Sequence, residues 1–75
     1  MIMSGTHNAR IEAVQALDIH GTVMYDVVYV HEGETTARRA RLGAESVYVG
    51  LAPGDTGQVS YLMNVANGLM RRVEA

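Results

Sequence analysis

The sequence predicts an all-β protein, either a small five-stranded, partly open barrel of the OB-like or SH3-like kind or a curled antiparallel sheet. Segments rich in valine and tyrosine alternate with turn signals built from glycine, asparagine and the single proline. Five such segments follow one another, with one compact connection between the third and the fourth. The chain has 75 residues, which is room for one domain.

The first strand is predicted to begin at Ala9. Residues 1–8 show no periodicity and are read as a mobile N-terminal segment, which leaves residues 9–75 as a single small β domain. From Ala9 to Ile19 apolar residues recur at even spacing, which is typical of a strand. A helix over residues 9–17 stays open as an alternative, because alanine, glutamate, glutamine and leucine are good helix formers.

The second and third strands form the clearest part of the pattern. His20 and Gly21 offer a turn, and the β-branched and aromatic residues that follow, residues 22–30, predict the firmest strand. A turn centred on Glu32 and Gly33 returns the chain as a third strand that ends at Gly43. A two-residue loop at this place would set Asp26 opposite Arg39.

The second half of the chain is predicted to form a final hairpin. Residues 44–51 fit either a short strand or a short helix, and both stay open. Residues 52–55 carry proline and glycine where a type II turn requires them. A strand follows, and Asn67 with Gly68 is the strongest two-residue hairpin signal, which would pair Val65 with Met70.

The composition indicates a homo-oligomer. A chain this small needs extra stabilisation, yet it contains no cysteine for disulfides and no Phe or Trp for a large core. The second strand is apolar on both sides apart from Asp26, which is typical of a strand covered on both faces. Its larger face is expected to form the core, so the opposite side chains are predicted to form an interface between subunits: Met24, Val28 and Val30.

Charge is distributed unevenly. Residues 11–34 carry five acidic side chains and no basic one, whereas five of the six arginines fall in residues 38–41 and 71–72. Local ion pairs on a solvated surface explain this pattern, and so do complementary edges that meet between subunits. The arginines together with tyrosines also suggest an alternative, a surface for single-stranded nucleic acid. That surface would use Arg38, Arg39, Arg41, Arg71, Arg72, Tyr25 and Tyr61.

No residue pattern predicts catalysis, a metal or a cofactor. The histidines, His7, His20 and His31, are far apart in sequence, and no nucleophile motif or phosphate-binding loop is present. A net charge of −2 argues against nucleic-acid binding by overall charge. No apolar run is long enough for a membrane span, and no leader is recognised. The expectation is a cytoplasmic, non-enzymatic module that acts through protein–protein interaction as a homo-oligomer, with no membrane contact.

Overall fold

The computed structural model describes residues 4–71 and confirms the all-β fold class. A short 3₁₀ turn, Ala44–Ser46, follows the third strand, and the strands form one antiparallel sheet that is not closed into a barrel. The strands are β1 (Ser4–Ile19), β2 (Thr22–His31), β3 (Ala37–Gly43), β4 (Thr56–Leu62) and β5 (Val65–Arg71). Within these residues no helix is long and apolar enough to cross a membrane.

The long strand β1 organises the sheet, whose strand order is β3-β2-β1-β4-β5. The first part of β1 pairs with β4 from Ser4 to Arg10, and the second part pairs with β2 from Ala9 to Ile19. Only the middle of β1 therefore has a strand on both sides. A bulge between Ile11 and Ala13 bends the strand at this place.

The structure resolves the open choice over residues 9–17 as strand and moves the start of β1 to Ser4. Residues 4–8, which the sequence assigns to a mobile segment, pair with β4; the mobility itself stays a prediction. The alternation that places Ala9 and Ile11 on the same face of β1 continues upstream to His7 and Gly5. Because Gly5, Ser4 and Thr6 are not apolar, hydrophobic periodicity alone does not detect this part of the strand.

The predicted turn at His20 and Gly21 is present. Both residues have positive φ, 52° and 83°, as a type I′ turn requires. The β2–β3 pairing is displaced by two residues from the prediction, so Asp26 lies opposite Arg41 instead of Arg39. The reason is the longer loop: β2 extends to His31 and β3 begins only at Ala37. A displacement of two residues keeps every side chain on its predicted face.

The predicted hairpin at Asn67 and Gly68 is wrong. The chain turns at Met63 and Asn64, which have φ values of 51° and 69°, and Gly68 pairs with Ser60 inside the sheet. The turn and a bulge at Asn67 place Leu69 opposite Val59, and both are buried in the core. Burial of these side chains therefore outweighs the local turn preference.

The core lies on one face of the curled sheet, called the inner face. It is composed of Ala9, Ile11, Val27, Tyr29, Leu42, Val59, Tyr61 and Leu69. The connection between β3 and β4 crosses this face, and Val47, Tyr48 and Leu51 pack against the core. Residues 44–51 contain a 3₁₀ helix of one turn, Ala44–Ser46, followed by irregular backbone, so the open choice resolves as a short helix over three of these residues, and no strand forms there.

The connection ends in the predicted turn at residues 52–55. Gly54 has a φ of 92°, and the Asp55 amide donates to the Ala52 carbonyl at 3.2 Å, as expected for type II. The turn attaches to β1 through two hydrogen bonds with Ile11, each 2.8 Å long. It therefore fixes the sheet at the bend of β1.

Candidate functional site

The opposite face of β1, β2 and β3, called the outer face, contains the first candidate site. Ala13, Val28 and Arg39 lie side by side across the three strands. A cavity of about 670 Å³ opens here, and its lining also includes Gln15 and Arg41. Small apolar side chains and charged side chains thus share one concave surface.

An ion pair borders this cavity. The Arg41 guanidinium donates two hydrogen bonds to the Asp26 carboxylate, at 2.8 and 3.3 Å. The hydrogen bond from Arg41 lowers the pKa of Asp26, and the positive charges of Arg41 and Arg39 contribute. Since both partners are exposed, the pair adds little stability. The two hydrogen bonds hold the Arg41 and Asp26 side chains in defined positions beside the cavity.

The three side chains predicted for a subunit interface lie on this outer face. Met24 and Val28 are half-buried, whereas Val30 is 6% exposed and lies opposite Arg10. Of these three side chains, Met24 and Val28 therefore keep the accessible apolar surface. Their role at an interface stays a prediction.

The arginines predicted for nucleic-acid binding are divided between two faces. Arg39 and Arg41 project from the outer face, while Arg38 lies opposite Tyr29 on the inner face. Arg71 is also on the inner face, where its guanidinium lies 5.0 Å from the centre of the Tyr48 ring. The fifth predicted arginine, Arg72, lies outside the described residues.

The predicted tyrosines lie on the inner face, away from Arg39 and Arg41. Tyr25 is half-buried and packs against the core. Tyr61 is buried, and its hydroxyl is hydrogen-bonded inside the protein. Tyr61 therefore offers no open ring for a base to stack on. The structure does not combine the predicted arginines and tyrosines into one surface.

A second cluster, which the sequence analysis missed, lies on the inner face. The Tyr61 hydroxyl is 2.8 Å from the Tyr29 hydroxyl and 2.7 Å from His31 Nε2. The His7 ring stacks on His31 with 4.9 Å between ring centres and an angle of 12°. Two of the histidines thus meet, because Ala9 of β1 pairs with His31 and places His7 diagonally beside it. The alternation that leads back from Ala9 to His7 is the signal that could have found the cluster.

The electrostatics of this cluster favour the neutral forms of His31 and Tyr29. Burial lowers the pKa of His31, and the positive charge of Arg38 acts in the same direction. Glu34, with its carboxylate 3.6 Å from His31 Nδ1, opposes the shift only in part. Burial and the hydrogen bond to Tyr61 raise the pKa of Tyr29. The hydrogen bonds among Tyr29, Tyr61 and His31 link β2 to β4.

A third group of contacts holds the connection between β3 and β4 in place. The Tyr48 hydroxyl donates to Asp55 at 2.7 Å, and burial, with this bond, raises the pKa of Tyr48 to about 12. The same bond lowers the pKa of Asp55. Arg71 donates to the Val49 carbonyl at 3.0 Å. These contacts fasten the connection over the inner face.

Fold and surfaces together define a small all-β protein on one open antiparallel sheet, with a cavity of about 670 Å³ on its outer face. Within residues 4–71, no group of three histidine, cysteine or acidic side chains could hold a metal ion. No protein-family model, curated protein or solved structure matches the chain. The function is therefore inferred from the residues themselves.

Proposed function

We propose that this chain is a non-enzymatic, cytoplasmic module that acts through protein–protein interaction, as a homo-oligomer assembled through the outer face of β1, β2 and β3. The observation that carries the proposal is the outer-face cavity, where Ala13 and Val28 lie beside charged side chains. Met24 extends the apolar surface along β2.

The surface has the anatomy of an interface. Protein interfaces combine an apolar centre with a polar rim, and here Val28 lies between Ala13 and Arg39, with the Asp26–Arg41 pair in the next row of the sheet. Both signs of charge are present on the rim. Because a two-fold interface brings the same surface together twice, a surface with both signs can match itself.

Stability supports the same proposal. The chain is short, and it has no cysteine for a disulfide. Domains of this size commonly depend on disulfides, a metal or a partner subunit. A partner that binds only the folded chain stabilises it by mass action, so assembly would supply the missing stability.

Light scattering and thermal unfolding over a range of protein concentrations test the proposal. We expect a mass above that of the monomer at micromolar concentration and a Tm that rises with concentration. Val28→Glu should dissociate the assembly, because contact between two copies would strip water from the new carboxylate and from Arg39, which lies opposite it. The matched control is Thr6→Glu, an exposed position on the same face of β1 but paired with β4, and it should leave the mass unchanged.

A monomer mass and a Tm independent of concentration would refute the proposal. Folding of Val28→Glu is checked by its far-ultraviolet circular dichroism. If that variant is misfolded, Met24→Lys on the same face serves in its place. A folded variant that keeps the oligomeric mass at both positions would show that the assembly uses another surface.

Single-stranded nucleic acid is the second candidate partner, and one observation favours it. Arg39 and Arg41 project from the same outer face, and Arg39 makes no hydrogen bond or salt bridge within residues 4–71. If these side chains contact phosphates, Arg39→Ala with Arg41→Ala should weaken binding and flatten its salt dependence. Absence of binding by the unaltered protein at about 50 mM salt would eliminate this candidate.

A further inference from the structure

Within residues 4–71, the second part of β1 has a strand edge without a partner. Residues 13–19 pair with β2 on one side, whereas the pairing with β4 ends at Arg10 and the bonds to the turn at residues 52–55 end at Ile11. On the side away from β2, no backbone hydrogen bond to residues 13–19 is present within the described part of the chain.

The turn that follows β1 shows which backbone groups point to this free side. A two-residue hairpin is closed by a hydrogen-bonded pair, here Ile19 with Thr22. The register then continues without a shift to Ala13, and hydrogen-bonded pairs alternate with non-bonded ones. The amide and carbonyl groups of Val14, Ala16 and Asp18 therefore point away from β2, towards solvent.

Composition leaves this edge open to pairing, in contrast to the other strand edges. Proteins protect exposed edges with charges, irregular backbone or bulges. The β3 edge carries three arginines, β5 contains the bulge at Asn67, and residues 4–8 are polar and include Gly5 with a φ of 122°. Residues 13–19 contain only one charged side chain, Asp18, and no proline.

We propose that residues 13–19 of two copies pair with each other as antiparallel strands, with the two-fold axis at Ala16. The inference rests on the proposed function in that it takes the partner to be a second copy, and it adds a backbone contact at the edge of β1 to the contact through the outer face. The two sheets then continue into one, with both inner faces on the same side.

The outward groups select this register. Ala16 meets Ala16 of the partner subunit in a hydrogen-bonded pair, and Val14 meets Asp18 of the partner subunit twice, once on each side of the axis. Every outward backbone group thus faces another outward group. A register shifted by one residue would set these groups opposite residues whose backbone is already bonded to β2.

Steric limits and charge select it again. In this register, His20 of the partner subunit lies near Glu12. The partner's turn after β1 therefore stops short of Ile11, where the turn at residues 52–55 is bonded to the edge. An imidazole and a carboxylate are suitable hydrogen-bond partners. An axis at Gln15 would instead bring Asp18 next to Glu12 of the partner subunit. It would also place the partner's turn beside Arg10, where β4 already occupies the edge of β1. Like charges opposite each other are destabilising in a sheet.

Cysteine cross-linking tests the register directly, because the chain contains no cysteine of its own. Opposed residues of a hydrogen-bonded pair have Cα atoms about 5.5 Å apart, within the range of a disulfide. Ala16→Cys should therefore oxidise to a covalent dimer. Val14→Cys and Asp18→Cys should not, because identical residues two positions from the axis are about 13 Å apart. The double variant of Val14→Cys and Asp18→Cys should cross-link again.

The control is Thr35→Cys, at an exposed position in the loop between β2 and β3. Under mild oxidation at micromolar concentration, we expect Ala16→Cys to form dimer at least about tenfold faster than the control, measured on non-reducing gels. Circular dichroism before oxidation shows that each variant is folded. Rates equal to that of Thr35→Cys in a folded Ala16→Cys protein would overturn the inference.

The outcome is separable from that of the proposed function. An oligomeric mass for the unaltered protein, with dissociation by Val28→Glu but without cross-linking of Ala16→Cys, would leave the outer-face assembly standing and remove the edge pairing. Rapid cross-linking of Ala16→Cys, with no effect of Val28→Glu on the mass, would support the edge pairing and remove the outer face as the interface.

Discussion

The two ends of β1 differ in their surroundings, although within the described residues each has a partner strand on one side only. Residues 4–8 pair with β4, and His7 stacks on the buried His31. Residues 13–19 pair with β2, and the side chains at both ends are mostly exposed. Between them, Ile11 is fully buried at 0% exposure. Stability is thus expected to concentrate at the bend, while the second end remains available for contacts with other molecules.

This contrast also separates polar from apolar edges. The first end exposes serine, threonine and asparagine, which water solvates well. The second end presents alanine, valine and leucine around a single aspartate, and Ile19 is 39% exposed. The same strand therefore combines a polar edge with an edge that can associate.

The largest expected effect is at the bend. Ile11→Ala removes a fully buried side chain and should lower the free energy of unfolding by about 2–5 kcal/mol. Leu17→Ala, in the exposed end, should cost about 1 kcal/mol or less. Urea unfolding of both variants below the concentration at which copies associate measures the difference. Equal losses would show that the second end is as well packed as the bend.

The pH dependence of stability tests the contact between the first end of β1 and His31. His31 has a lowered pKa in the folded chain, while an unfolded histidine titrates near 6.5. The unfolded chain therefore binds the proton first as the pH falls, and stability decreases from about pH 6.5 downwards. Above this range the stability is fully present. The loss should be smaller than that caused by Ile11→Ala.

The control for this pH dependence is a substitution of a group that does not titrate. His31→Gln should remove the decrease that begins near pH 6.5, whereas Thr35→Gln, in the exposed loop between β2 and β3, should retain it. Asp26 and Asp55 have lowered pKa values, so their contributions are lost only as the pH falls below their unfolded value of 3.8. A decrease that persists unchanged in His31→Gln would show that another group is responsible. Denaturant midpoints measured against pH provide the test.

The sequence predicts best where local and long-range preferences agree. In β2, alternation places Val27 and Tyr29 on the inner face and Met24 and Val28 on the outer face, and the structure confirms these faces. The turn at His20 and Gly21 is also confirmed, because the pairing that it gives agrees with the burial pattern of β2.

Prediction fails where the two preferences disagree. Asn67 and Gly68 have a stronger preference for a two-residue turn than Met63 and Asn64. A turn there, however, would move Leu69 away from Val59, so that the two side chains could not pack together in the core. The His7–His31 cluster is missed for a different reason. It depends on β1 pairing with two strands at once, and no local pattern shows that His7 approaches a residue of β2.

The smallest expected effect concerns the β4–β5 turn, which supports the first end of β1. Met63 has a φ of 51°, a conformation that costs a non-glycine residue about 1–2 kcal/mol, and asparagine tolerates it better. Met63→Asn with Asn64→Gly gives the preferred type I′ pair and should stabilise the protein by about 1 kcal/mol. Thermal unfolding measures the gain. Gly68→Ala is the comparison, because its added Cβ meets nothing closer than 3.7 Å and should change stability by about 0.5 kcal/mol at most. If Gly68→Ala were severely destabilising and the Met63 and Asn64 changes had no effect, the chain would turn at Asn67 and Gly68 after all.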